Sequence, residues 1–169
     1  MNAAAALFGK LPSQGDFVAR GLPAGLRLPL DRWLTRHLAL RAKRPETWPV
    51  DGLRITFGFE ATTLTGLILP SSDRAGRAFP LACCHLPGLS LDAAEEWCDA
   101  ALPSARAALA GAISADSLQA ALAALPADSE DPAEPGIWAG SHAPLPPDPA
   151  EAALAVLRGP VSSGKSCCP

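Results

Sequence analysis

LRITFGFEATTLTGLIL, running from Leu53 to Leu69, is the stretch that decides the fold class. In its first half Leu53, Ile55, Phe57 and Phe59 alternate with Arg54, Thr56, Gly58 and Glu60. That period of two predicts a strand with one buried face and one wet face. TTLTGLIL follows after a very short link and is rich in β-branched and apolar residues, so the pair reads as an antiparallel hairpin. Pro70 ends the second strand, SSDRAGR (71–77) forms a polar loop, and FPLACCHL (79–86) supplies a third strand.

Upstream, AAALFGKL (4–11) predicts a short first strand that ends at Pro12. SQGDFVARGLP (13–23) reads as a turn-rich loop, with Gly15 and Gly21 available for positive φ. From Pro29 to about Arg44, Leu30, Trp33, Leu34, His37 and Leu38 recur at helical spacing, with Pro29 suited to the first turn and Pro45 to the stop. Downstream, Ser90 is a good N-cap with Asp92 and Glu95 close behind, and Leu91, Ala94, Trp97 and Cys98 form the apolar side. Pro103 should kink that helix or begin a new one. Ser114 caps a further helix built on Leu118, Leu122 and Leu125, after which PADSEDPAEPG (126–136) is a linker by composition. GIWAG (136–140) predicts a last short strand, and PDPAEAALAVLRG (147–159) a terminal helix opened by Pro149 and closed by Gly159. A hairpin followed by segregated helices gives an α+β fold, a central antiparallel sheet flanked by helices in one domain.

The 169 residues suffice for one buried core, and 49% apolar against 18% charged residues is a globular balance. A net charge of -3, no Tyr and 5% aromatics argue against a partner that is nucleic acid. The opening MNAAAALFGK lacks a basic n-region, and no apolar run reaches the ~18 residues of a membrane span, so no membrane insertion is expected. Five cysteines in no framework spacing read as free thiols of a reducing cytoplasm. Arg32, Arg36, Arg41, Lys43 and Arg44 cluster early, and Asp92, Glu95, Glu96, Asp99, Asp128, Glu130, Asp131 and Glu134 late. These read either as a solvated helix face and an acidic loop, or as a basic patch for an acidic protein partner.

Of three constellations that suggest chemistry, two fail on context and one stays open. Gly159 to Ser166 fits the P-loop pattern, but a helix precedes it and only Cys167, Cys168 and Pro169 follow, so no phosphate-holding helix can be built. The stretch from 159 onward reads as a disordered tail, with 1–158 the folded domain. Cys83, Cys84 and His85 alternate faces on a strand and cannot converge on one ion. Neither a cofactor nor a small-molecule substrate is expected. Asp16 and Asp73 sit in glycine-containing loops, and a carboxylate site of a small hydrolase there stays open as an alternative.

Those two loops carry a resemblance. FGKLPSQGDFVARGLP (Phe8 to Pro23) resembles the opening signature of the TagF family, and LPSSDRAGRAFPL (Leu69 to Leu81) resembles its second. LDRWL (Leu30 to Leu34) is similar to the helix between them, and IWAG with LPPDPAEAALAVLRG resembles the closing strand and helix. The turn after Phe59 is shorter than the family's, and its late tryptophan-rich segment is reduced to Trp138. Some relatives are fused to a phosphatase domain, and none is expected within these 169 residues, which show no metal-binding aspartate-glycine motif. The resemblance implies a longin-like domain acting as a cytoplasmic, post-translational repressor of type VI secretion. It further implies a forkhead-associated-domain protein as partner and no catalysis; a structural adaptor of the same apparatus is the other binding role. Ser13, Asp16, Arg20, Asp73, Arg74 and Arg77 are then the candidate docking surface. Asp16 with Arg77, or Asp73 with Arg20, could equally be structural pairs across the loops, with Gly15 and Gly76 letting the backbones turn closely.

Overall fold

A computed structural model describes residues 4–128 and 131–159. Its centre is a six-stranded sheet formed by β1 (Ala4–Gly9), β2 (Val18–Arg20), β3 (Leu53–Phe59), β4 (Thr62–Leu69), β5 (Leu81–Leu86) and β6 (Gly136–Trp138). The spatial order is β2-β1-β5-β4-β3-β6, and every neighbouring pair is antiparallel. The hairpin read from Leu53 to Leu69 is the β3–β4 pair, in register from Leu53 opposite Ile68 to Phe59 opposite Thr62. Four helices complete the α+β domain: α1 (Ala24–His37), α2 (Leu91–Leu109), α3 (Ala115–Ala123) and α4 (Ala150–Val156).

The helices divide between the two faces of the sheet. Leu26, Leu30, Leu34 and Leu38 of the α1 segment join Ala150, Ala153, Leu154 and Leu157 around α4 against Phe8, Ile55, Leu64 and Cys84. Trp97, Ala101, Ala105, Leu118 and Leu122 from α2 and α3 close the other face over Leu7, Leu67, Cys83 and Trp138. Both faces are therefore dry, which corrects the expectation of a wet face on β3. Arg54 and Thr56 are buried. Arg54 is held by Glu95 and Asp99, which stand one turn apart on α2, and Glu95 also accepts from the Trp138 indole N–H. Two carboxylates from the acidic set thus neutralise a buried cation instead of facing water alone.

Other local readings shift. Residues 18–20, read as loop, add β2 to the edge of the sheet. The first helix starts at Ala24 rather than Pro29, because Leu26 extends the leucine stripe and Pro29, in the second turn, removes only one backbone bond. It ends at His37, and short 3-10 turns over Arg41–Lys43 and Pro45–Thr47 replace the expected last turns. Here the Arg41 guanidinium caps carbonyls of Leu154 (2.7 Å), Thr47 (2.8 Å) and Leu157. Burial and the neighbouring Arg158 lower its pKa. Pro103 lies inside a continuous α2. Ser90 and Ser114 cap α2 and α3 as expected, accepting from the N–H of Ala93 (3.4 Å) and Ser117 (3.1 Å).

Cys83, Cys84 and Cys98 are free and buried. Burial pushes the Cys84 and Cys98 thiols up to about 12 and raises Cys83 as well. They pack as small hydrophobes, Cys83 and Cys84 on opposite faces of β5. The P-loop-like run beyond Gly159, together with Cys167 and Cys168, lies outside the described residues.

Candidate functional site

β1 and β5 run side by side, so the loop leaving β1 and the loop entering β5 emerge at the same end of the sheet. At their crossing Gly9 adopts φ 135°, and a Cβ there would meet the Pro80 carbonyl oxygen at 2.1 Å. Glycine is therefore obligatory where the end of β1 touches the segment entering β5.

Asp73 is the hub. It is 2% exposed. Its Oδ1 accepts from the backbone N–H groups of Ala75 and Arg77, both at 3.0 Å. Its Oδ2 faces Lys10 Nζ at 3.0 Å and Arg77 Nε at 2.8 Å. Burial alone would raise the pKa of this carboxyl. The Arg77 backbone N–H and the Lys10 and Arg77 charges outweigh that and hold it at about 2. The loop closes on itself through the Asp73 N–H to Arg77 carbonyl bond (3.1 Å), and Gly76 turns it with φ 77°.

From this hub the second loop grips the first. Arg77 Nη2 donates to the Gly15 carbonyl at 2.9 Å, and Arg74 Nη2 to the Ser13 carbonyl at 2.7 Å. The Arg74 backbone N–H donates to Gln14 (2.7 Å), and Ser71 Oγ donates to the Lys10 carbonyl (2.7 Å). Phe17 folds back over the junction, 4.8 Å from Phe79 and 5.8 Å from Phe8 between ring centroids, with Lys10 Nζ 5.1 Å from its ring centre.

Five of the six sequence-predicted positions meet here, in different roles. Asp73 is buried beneath the junction. Arg74 and Arg77 straddle it and remain exposed. Ser13 contributes its carbonyl, while its hydroxyl is buried without a partner among the described residues. Asp16 is exposed and, among the described residues, accepts only from the Phe17 N–H at 2.7 Å. Arg20 points elsewhere, to Asp116 of α3 at 2.6 Å. Neither expected cross-loop pair forms: Arg77 bonds the backbone of the opposite loop instead of Asp16, and Asp73 takes Lys10 in place of Arg20. Gly15 has ordinary backbone and open space around it, so the close turn belongs to Gly9 instead.

Sequence reasoning passed over Lys10 and Phe17. Lys10 is a lone lysine at the end of an apolar strand, flanked by Gly9 and Leu11, and such a residue needs an anion when it is buried. Phe17 stands in the loop signature and is 42% exposed despite its three aromatic and cationic neighbours. Chemically the junction offers a fixed surface of Asp16, Phe17, Arg74 and Arg77. No group of three or more His, Cys, Asp or Glu able to hold a metal occurs among the described residues. No described helix is long and apolar enough to cross a membrane.

Comparison with known proteins bears on the same elements. The crystal structure of PA0076 from Pseudomonas aeruginosa PAO1 is similar with a TM-score of 0.60 and 25% sequence identity, covering 91% of this chain and 76% of that one. No curated relative matches by sequence. Residues 6–125, from β1 through α3 and including both loops of the junction, match the TagF N-terminal domain, described as type VI secretion system-associated. The chain belongs to the TagF family.

Proposed function

We propose that the chain is a cytoplasmic, post-translational repressor of type VI secretion that works by binding and performs no catalysis. Family membership ties it to that apparatus. The partner in this reading is the apparatus's forkhead-associated-domain protein, and the surface is the two-loop junction. One observation carries it: an entire buried ion-pair centre is spent on fixing two exposed loops to each other. Fixing loops in advance removes ordering cost from a binding event. The alternative hydrolase would need Asp73 as an acid or base, yet this carboxylate is buried and all its directions are taken by four donors.

The test is capture of the forkhead-associated-domain protein by the full chain, with secretion measured in the source cell. Asp16→Lys combined with Phe17→Ala should abolish capture and release secretion, with melting lowered a few degrees because Phe17 packs on Phe8 and Phe79. Asp16→Lys alone, at an exposed side chain, should weaken capture with melting nearly unchanged. Undiminished capture by that variant removes the junction as the interface. Turnover of a phosphate or ester substrate that is lost on Asp16→Asn would overturn the non-catalytic reading.

A further inference from the structure

A second surface shares no residue with the junction. β3 runs out past the cover that α1 gives it, so its last two apolar side chains on that face, Phe57 and Phe59, are only half-buried. They form one wall of an open groove of about 800 Å³, with Leu28, Arg32, Trp33 and Arg36 of α1 as the other. Trp33 meets Phe57 edge-on, with ring centroids 6.2 Å apart, and Leu28 is 53% exposed. A stable fold gains nothing from leaving these rings wet, and clustered exposed apolar surface marks interaction sites.

The charge on the rim selects the occupant. Arg32 and Arg36 are exposed and make no ion pair among the described residues, while Arg41, Arg44, Arg54 and Arg77 each have a carboxylate or carbonyl partner in the fold. Around the groove, Glu151 pairs with His37 at 2.9 Å and feels Arg36 through space, and Asp148 lines the smaller depression beside Trp33. On a chain of net charge -3 this is a local basic rim around an aromatic floor. We propose that the groove docks an acidic segment of another protein, seating one bulky apolar side chain against Trp33, Phe57 and Phe59 while carboxylates on either side meet Arg32 and Arg36.

Trp33 reports on this directly, because Trp48, Trp97 and Trp138, the other three of four tryptophans, are buried. Short peptides with Asp or Glu flanking a central Leu or Phe are titrated into the full chain, with acrylamide quenching as readout and Lys-flanked peptides as the counterpart. Acidic peptides should shield Trp33, and added salt should weaken the effect. Arg32→Glu with Arg36→Glu should weaken acidic-peptide binding on the order of ten-fold and favour the Lys-flanked set. Melting should be lowered by no more than a few degrees, since both side chains are exposed and, among the described residues, only Arg36 acts on a fold carboxylate, Glu151. The proposal fails if acidic peptides give no shielding, or if both peptide sets shield equally. It fails too if charge reversal changes nothing, or if shielding grows with protein concentration alone, which would make a second copy the occupant. A positive result stands whether or not the junction proves to be a repressor surface.

Discussion

Asp73 and Arg54 are both buried charges, and they are neutralised in opposite ways. Asp73 is an anion served by its own loop: two backbone N–H groups and Arg77, four residues on, with Lys10 added from β1. Arg54 is a cation on a strand, served by side chains 41 and 45 residues later on a helix. The difference lies in what each leaves behind. Lys10 is nearly as buried as Asp73, whereas Glu95 and Asp99 are 34% and 68% exposed and can turn to water. Buried partners make a charge indispensable; solvent-reaching partners make it replaceable.

The largest expected effect follows from that contrast. Asp73→Ala strands a buried lysine and two backbone donors, so the melting temperature should fall by about 10 °C or more. Arg54→Ala should cost about half as much, and Arg54→Met should recover most of the loss, because an apolar chain of similar length suits the α2 interface. Arg54 Nε already lacks a partner among the described residues, which lowers the advantage of the native side chain. Calorimetry on the three variants checks the order. An Arg54→Met protein as unstable as Asp73→Ala would break the comparison.

The same contrast explains how much of the molecule was legible beforehand. The β3–β4 hairpin and the Ser90 and Ser114 caps rest on residues adjacent or one turn apart, and the sequence shows such relations directly. β2 did not show because three residues between a loop and Gly21 carry no period. The early start of α1 was hidden by Pro29, which resembles a helix opening while Leu26 had already begun the stripe. Arg54 reads as water-facing in the sequence because nothing near it in the chain announces Glu95 and Asp99. At the junction, the Asp73–Arg77 relation is as local as a helical turn, but Lys10 enters only through the pairing of β1 with β5. The loop residues were recognisable; their division into buried hub and exposed rim needed the fold.

Acid titration sharpens the comparison at one group. Asp73 has its folded pKa depressed from 3.8 to about 2. A depressed carboxylate stabilises the fold in full above its unfolded value, and the contribution drains away as pH falls from about 4 through about 2. Urea midpoints of the native chain and Asp73→Asn should therefore converge across that window while staying apart at pH 7. A gap that persists unchanged at pH 2 would mean Asp73 acts through shape and not through charge.

The smallest effect belongs to Arg20, the one predicted docking residue that lies off the junction. Its bond to Asp116 joins edge strand β2 to α3, yet both side chains are well exposed, at 40% and 78%. Ion pairs in water contribute roughly 0–1 kcal/mol, because solvent screens the attraction and two long side chains must be held still. A double-mutant cycle with Arg20→Ala and Asp116→Ala should return a coupling of about 0.5 kcal/mol or less. That near-silence in stability makes Arg20 informative in another way. Since Arg20→Ala leaves the fold and the Asp73 hub intact, any loss of partner capture must come from contact at Arg20 itself. The docking surface would then reach along β2 toward α3. Capture at native strength would confine it to Asp16, Phe17, Arg74 and Arg77.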